Sequence, residues 1–216
     1  MKLIIYHGSD KRIDNPRYDG GRKFSDFGIG FYATTNIEMA KSWSTRKIDK
    51  KALVNKYILN TEGLESLTFD LDINWILFIA HNRGLIDNKE LKKFLEEKYK
   101  DLNKYDVILG PTADDRMFDT MNMFFENTIT IEHCIQSLNS MDLDIQYNLR
   151  SKKAIEAIKF IESIELDKEY YSSEIKLKKT IMKEKMKFIR KKYGSVGKYF
   201  DELEKEDAIE GFSNSL

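Results

Sequence analysis

The sequence predicts an α+β domain followed by a helical extension, and three observations lead there. Short β-branched runs such as KLIIY (residues 2–6), ALVNKYIL (52–59) and YDVILG (105–110) have the length and composition of buried strands. Segments of helical spacing with capping residues lie between them. After Leu166 there is no proline, and charge comes in blocks.

The elements follow in order. KLIIY is a strand ending at His7-Gly8-Ser9, and a long loop with Pro16, Gly20 and Gly21 comes next. GIGFYATT then leads to Thr35-Asn36-Ile37-Glu38, which fits a capping box with threonine at the cap. Ile37, Ala40 and Trp43 share a helical face, so a short helix is expected over 36–46. ALVNKYIL and SLTFDL (66–71) read as strands, with helices over 73–82 and 88–99 after them. YDVILG closes on Pro111, and 113–127 and 131–138 are helical in pattern. DIQYNLR (144–150) alternates as a strand. Ser151 then caps an expected helix whose apolar side is Ala154, Ile155, Ile158, Ile161 and Ile164 or Phe160. This gives a domain over 1–165 and a charged helical appendage over 166–216. In the appendage, Ile175, Met182, Met186 and Ile189 can share a helix face. Residues 174–192 hold nine basic side chains against two acidic ones, and 201–210 hold six acidic against one lysine. Such blocks suit solvated helix faces, mutual pairing, covering of the core domain, or binding of a partner.

Composition narrows the function classes. The chain has 216 residues, 33% of them charged, and a formal net charge of zero, which removes the global argument for a polyanion binder. One cysteine, Cys134, excludes an intramolecular disulfide framework and a multi-cysteine zinc site. No spacing links His7, His81 and His133 as metal ligands, so no metal is expected; His81 and His133 sit in apolar helical stretches and read as structural. MKLIIYHGS is too short an apolar run for a signal peptide, and INWILFIA is far below membrane-spanning length, so a cytoplasmic protein is expected.

Glycine is concentrated in one place. Five of eleven glycines fall between Tyr6 and Thr35, beside the first histidine. Gly8 and Gly30 allow backbone to approach something flat, Ser9 and Thr34 offer hydroxyls, and Phe31 or Tyr32 offers a ring. These groups suit a planar amide with an attached ribose. GIGFYA lacks the third glycine of a dinucleotide fingerprint, and no P-loop lysine-threonine pair follows.

YHGS at 6–9, DFGIGFYATT at 26–35, GPTADD at 110–115 and DIQYN at 144–148 occur in this order. In these motifs the chain resembles an uncharacterised bacterial and phage family regarded as a branch of the ADP-ribosyltransferase fold. The resemblance covers roughly residues 1–165. It implies a split, mostly antiparallel β core with a cleft between its halves and NAD as co-substrate. By motif match, His7 would contact the adenine-side ribose, Gly8 would bind the nicotinamide amide through its backbone, and Tyr32 would stack on the ring. The family's carboxylate is where the chain departs, because Gln146 stands where better-known enzymes carry glutamate. An amide can hold a ribose hydroxyl but supplies no charge and no base. Asp114 and Asp115 are the nearest substitutes, and they equally suit the first turn of a helix. Asp26 is a third candidate.

Three functions follow as expectations: ADP-ribosyl transfer to a macromolecule, with protein favoured over nucleic acid; NAD hydrolysis; and a catalytically degenerate nucleotide-binding module. The charged terminal helices would be the place for a protein partner or an antitoxin. The basic block also raises nucleic acid as a target, but it has little aromatic interleaving.

Overall fold

The computed structural model describes residues 1–46, 50–113, 115–141, 143–167 and 184–205. Seven strands form one sheet in the order β4-β5-β6-β2-β1-β3-β7. They are β1 (Lys2–Ser9), β2 (Phe31–Thr34), β3 (Leu53–Asn60), β4 (Ser66–Thr68), β5 (Val107–Pro111), β6 (Ile145–Leu149) and β7 (Ile158–Glu165). Every neighbouring pair is antiparallel except β4 and β5. The helices are α1 (Ile37–Ser44), α2 (Ile73–Arg83), α3 (Lys89–Lys98), α4 (Asp115–Phe125), α5 (Ile131–Asn139) and α6 (Lys152–Glu156). Residues 184–193 form α7, and α8 is Phe200–Lys205. The class is α+β, with a mixed sheet.

Each face of the sheet has its own core. Strand alternation puts Phe31 and Ala33 on one face and Tyr32 and Thr34 on the other. Phe31 and Ala33 join Ile5, Tyr57, Leu59 and Leu149 under Ala154 of α6. Tyr32 packs against the second cluster, built from Phe27, Trp75, Phe78, Ile108, Met117 and Phe124. That second face is covered by α2, α4 and α5, and Met186, Phe200 and Leu203 of the terminal helices extend its packing.

Three sequence expectations are corrected. The segment after Ser151 is helical only through Glu156, and residues 158–165 are strand β7. Its isoleucines read as a helix stripe, but an unpaired β3 edge was available. Val54–Leu59 now pair along β7 with a bulge at Lys56/Tyr57, and tertiary pairing overrode the local period. The cap of α1 is Asn36, not Thr35: its side chain accepts from Glu38 N at 2.8 Å and Met39 N at 3.4 Å. Strand β1 also runs further than KLIIY, through His7, Gly8 and Ser9. Asp114, Ile175, Met182, residues 174–183 of the basic block and 206–210 of the acidic block lie outside the described residues.

Candidate functional site

The four motif segments, far apart in sequence, fold into neighbouring positions. YHGS ends β1, DFGIGFY enters β2, VILGP is β5 and IQYNL is β6, so they occupy the contiguous strands β5-β6-β2-β1. One cross-sheet row runs Tyr6, Thr34, Gln146, Gly110, each residue paired with the next.

The sheet is weakest between β1 and β2. β1 pairs with β3 along all of Lys2–Ser9, but its register with β2 is the single pair Tyr6↔Thr34. Beyond that pair the two strands part, and His7 spans the gap. Its Nδ1 lies 2.6 Å from the Tyr32 carbonyl, and its ring centroid is 4.6 Å from that of Phe31. A carbonyl only accepts, so Nδ1 carries the proton and donates. Burial lowers the His7 pKa, with the Tyr32 bond acting against that, so the neutral ring is favoured. Nε2 is then a lone pair, able to accept from a hydroxyl. Phe31 in turn sits edge-on to Tyr57 at 5.5 Å.

Gly8 has a local reason to be glycine. A Cβ there would lie 2.0 Å from the Ala40 carbonyl and 2.7 Å from Ser44 N, because α1 packs directly on this point of β1. Ser9 Oγ accepts from Lys11 N at 3.3 Å. Thr34 is buried, and its Oγ1 accepts from Asn36 N at 3.1 Å, steadying the entry to α1.

The other face holds a buried polar cluster. Asp26 Oδ1 accepts from Arg83 through Nε at 2.7 Å and also through Nη2. Asp26 Oδ2 accepts from Gln146 Nε2 at 3.0 Å, and that nitrogen also faces the Pro111 carbonyl at 3.3 Å. Asn82 Nδ2 donates to the Asp26 carbonyl at 2.9 Å, and Asn148 Nδ2 to the Phe27 carbonyl at 2.8 Å. The Tyr32 hydroxyl accepts from Phe27 N at 2.8 Å and donates to the Gly28 carbonyl at 2.7 Å. Burial first, then the Asp26 charge, push its pKa up, so it stays a phenol. The turn needs glycine twice. Gly28 adopts φ +75°, and a Cβ on Gly30 would lie 1.5 Å from Asn148 Oδ1.

The sequence-derived site residues therefore divide. His7 and Phe31 meet on one face. Tyr32, Thr34, Gln146 and Asp26 lie on or against the other, with the Tyr32 ring turned away from the imidazole. Asp115 is described at the backbone alone, as the first residue of α4. Arg83, Asn82 and Asn148 went unnoticed in the sequence. The signals were present: HNRG closes an otherwise apolar helix, and amides at 146 and 148 alternate with apolar neighbours in IQYNL. A cavity of about 380 Å³ lies between α5 and α7, lined by Gln136, Ser140, Lys185, Phe188 and Ile189 among others, and by none of these motif residues. Among the described residues, no three His, Cys, Asp or Glu side chains are grouped to hold a metal ion. Nor is any helix there long and apolar enough to cross a membrane.

Comparison with known proteins assigns a family. Residues 3–160 match the family described as "Protein of unknown function (DUF3990)", and the chain belongs to that family. No curated protein matches it. Among solved structures, the M. tuberculosis MbcT–MbcA toxin–antitoxin complex is similar with a TM-score of 0.41 and 10% identity, over 80% of this chain and 88% of that one. A likeness that distant bears no weight for fold or function.

Proposed function

We propose that the protein is an NAD-dependent ADP-ribosyltransferase acting on a macromolecule, protein rather than nucleic acid. The carrying observation is the convergence of four separated motif segments on adjacent strands around a parted β1–β2 seam. A histidine of fixed tautomer bridges that seam. Nε2 of His7 would accept a ribose hydroxyl there, and Ser9 lies two residues on. The C1′–N bond to nicotinamide breaks, its electron pair leaving with nicotinamide. An acceptor nucleophile then bonds to C1′ and gives up its proton. Such a dissociative step gains mainly from positioning and nearby negative charge. Asp114 and Asp115, which follow Ala113 in the sequence, are proposed for that charge. Gln146 would hold rather than react, because its amide already donates to Asp26 and faces Pro111.

Nicotinamide release and transfer of label from NAD to lysate proteins test this reading. The folded wild type is expected to do both, and His7→Ala to lose at least about tenfold in rate. Equal rates for the two proteins end the proposal. Nicotinamide release without labelled acceptor would instead identify a hydrolase. NAD binding without turnover would identify a nucleotide-binding module, a reading that the sequestered amide of Gln146 favours.

A further inference from the structure

We propose that Asp26 and Arg83 are positioning residues that lock the glycine loop to Ala113 and to Phe118 of α4. We further propose that residue 146 is an amide because it must donate to Asp26. The activity arm of this proposal rests on the preceding reading; its structural arm does not.

Arg83 ends α2, and its guanidinium reaches three places. It donates to Asp26, which opens the loop to Gly30, and to the Ala113 carbonyl at 3.3 Å, one residue before Asp114. It also lies 4.3 Å over the ring of Phe118 in α4. Asn82, the preceding residue, holds the Asp26 carbonyl. The glycine loop, Ala113 and α4 are thus tied through one side chain. Side-chain exposures of 23% for Arg83 and 10% for Asp26 leave little water to replace a lost partner.

The identity of residue 146 follows from its two neighbours. Its Nε2 faces the Asp26 carboxylate and the Pro111 carbonyl, both acceptors. A glutamate there would bring a second carboxylate about 3 Å from the first and turn an oxygen toward Pro111. Among the described residues, the ionisable groups bearing on the cluster are Arg83 and the Tyr32 phenol, with Arg150 acting on Tyr32. The Arg83 guanidinium already matches the Asp26 carboxylate, and Arg150 bears on Tyr32, so among the described residues a further acid has no cation in contact to pair with.

Three variants of the full chain test this. In Gln146→Glu, the new carboxyl beside Asp26 has its folded pKa raised, so stability is lost as pH rises through that value. Its melting temperature should fall further below wild type at pH 8 than at pH 5. Asp26→Asn/Gln146→Glu, with one carboxylate again, should lose that extra pH dependence. The same deficit for Gln146→Glu at both pH values would overturn the explanation for the amide. Arg83→Lys keeps the charge but loses the planar fork and much of the stacking. Amide hydrogen exchange should then rise together in residues 26–30 and 111–118; a rise in one segment alone, or in neither, sinks the coupling. If the wild type turns over NAD, Arg83→Lys should lower kcat about 10- to 100-fold with KM within about threefold. An unchanged kcat removes the positioning role. A wild type that releases no nicotinamide removes the enzymatic reading, while the melting and exchange results still decide the clamp.

Discussion

The two faces of the central sheet solve different problems with adjacent residues. Phe31 and His7 face an aromatic and aliphatic core, where packing does most of the work and His7 has one directional bond. One residue on, Tyr32 enters a face where Asp26, Arg83, Gln146 and Asn148 form a hydrogen-bonded cluster above the second core. A run read as a single ligand-binding signature is therefore two structural devices back to back. On the polar face donors meet acceptors at Asp26, Arg83, Gln146 and Tyr32, whereas Asn148 Oδ1 is buried with no hydrogen-bond partner among the described residues. On the other, His7 Nε2 at the parted seam has no hydrogen-bond partner among the described residues.

That contrast can be broken experimentally. The largest effect should come from Arg83→Met, which leaves the Asp26 carboxylate nearly buried without its cation. A loss of about 3–5 kcal/mol is expected, measured by urea unfolding. A loss below about 1 kcal/mol would mean that the cluster is not a buried unit. Next comes Gly8→Ala. Its Cβ would meet backbone of α1 at 2.0 Å, so α1 must shift. About 2–3 kcal/mol should be lost, lowering Tm by roughly 4–12 °C. If Gly8→Ala kept full stability and lost only NAD binding, Gly8 would belong to ligand contact and not to helix packing. Tyr32→Phe should cost about 1–2 kcal/mol, because it strands Phe27 N–H and the Gly28 carbonyl. Nicotinamide release should then track the folded fraction alone, unlike His7→Ala.

Legibility in the sequence followed the range of the interactions. The strands KLIIY and YDVILG and helices α2, α3 and α5 were readable because composition and caps are local; Asp72 Oδ1, for example, caps α2 through Trp75 N at 2.9 Å. Strand β7 was not, since Ile158, Ile161 and Ile164 satisfy a helical stripe until β3 is known to need a partner. The motif residues were found, but not their division between faces. Only the register Tyr32↔Asn148 and Thr34↔Gln146 shows which side chains stand together. Gly8 shows the same limit: a bare backbone reads alike whether a ligand or a helix fills the space. Gln146 looked like a missing acid until Asp26, 120 residues away, supplied a carboxylate for its amide.

The smallest effect concerns pH, and it separates the faces again. His7, His81 and His133 all have lowered pKa values, burial being the first cause in each. A histidine whose folded pKa is depressed holds fewer protons folded than unfolded at mildly acid pH. Its contribution is therefore complete above the unfolded value near 6.5 and is lost as pH falls below it. The protein should lose stability between pH 7 and pH 5, read as a falling urea midpoint. Protonated His7 would still donate through Nδ1 to Tyr32 but would lose the Nε2 lone pair. Acid should therefore weaken NAD binding more than it weakens the fold. His7→Gln keeps a side chain able to donate and accept, but has no titration near neutrality. It should flatten the pH dependence of binding while leaving the share of acid destabilisation due to His81 and His133. If binding by His7→Gln still falls with acid as it does in wild type, the group that titrates lies elsewhere, and the seam loses its claim to the ribose.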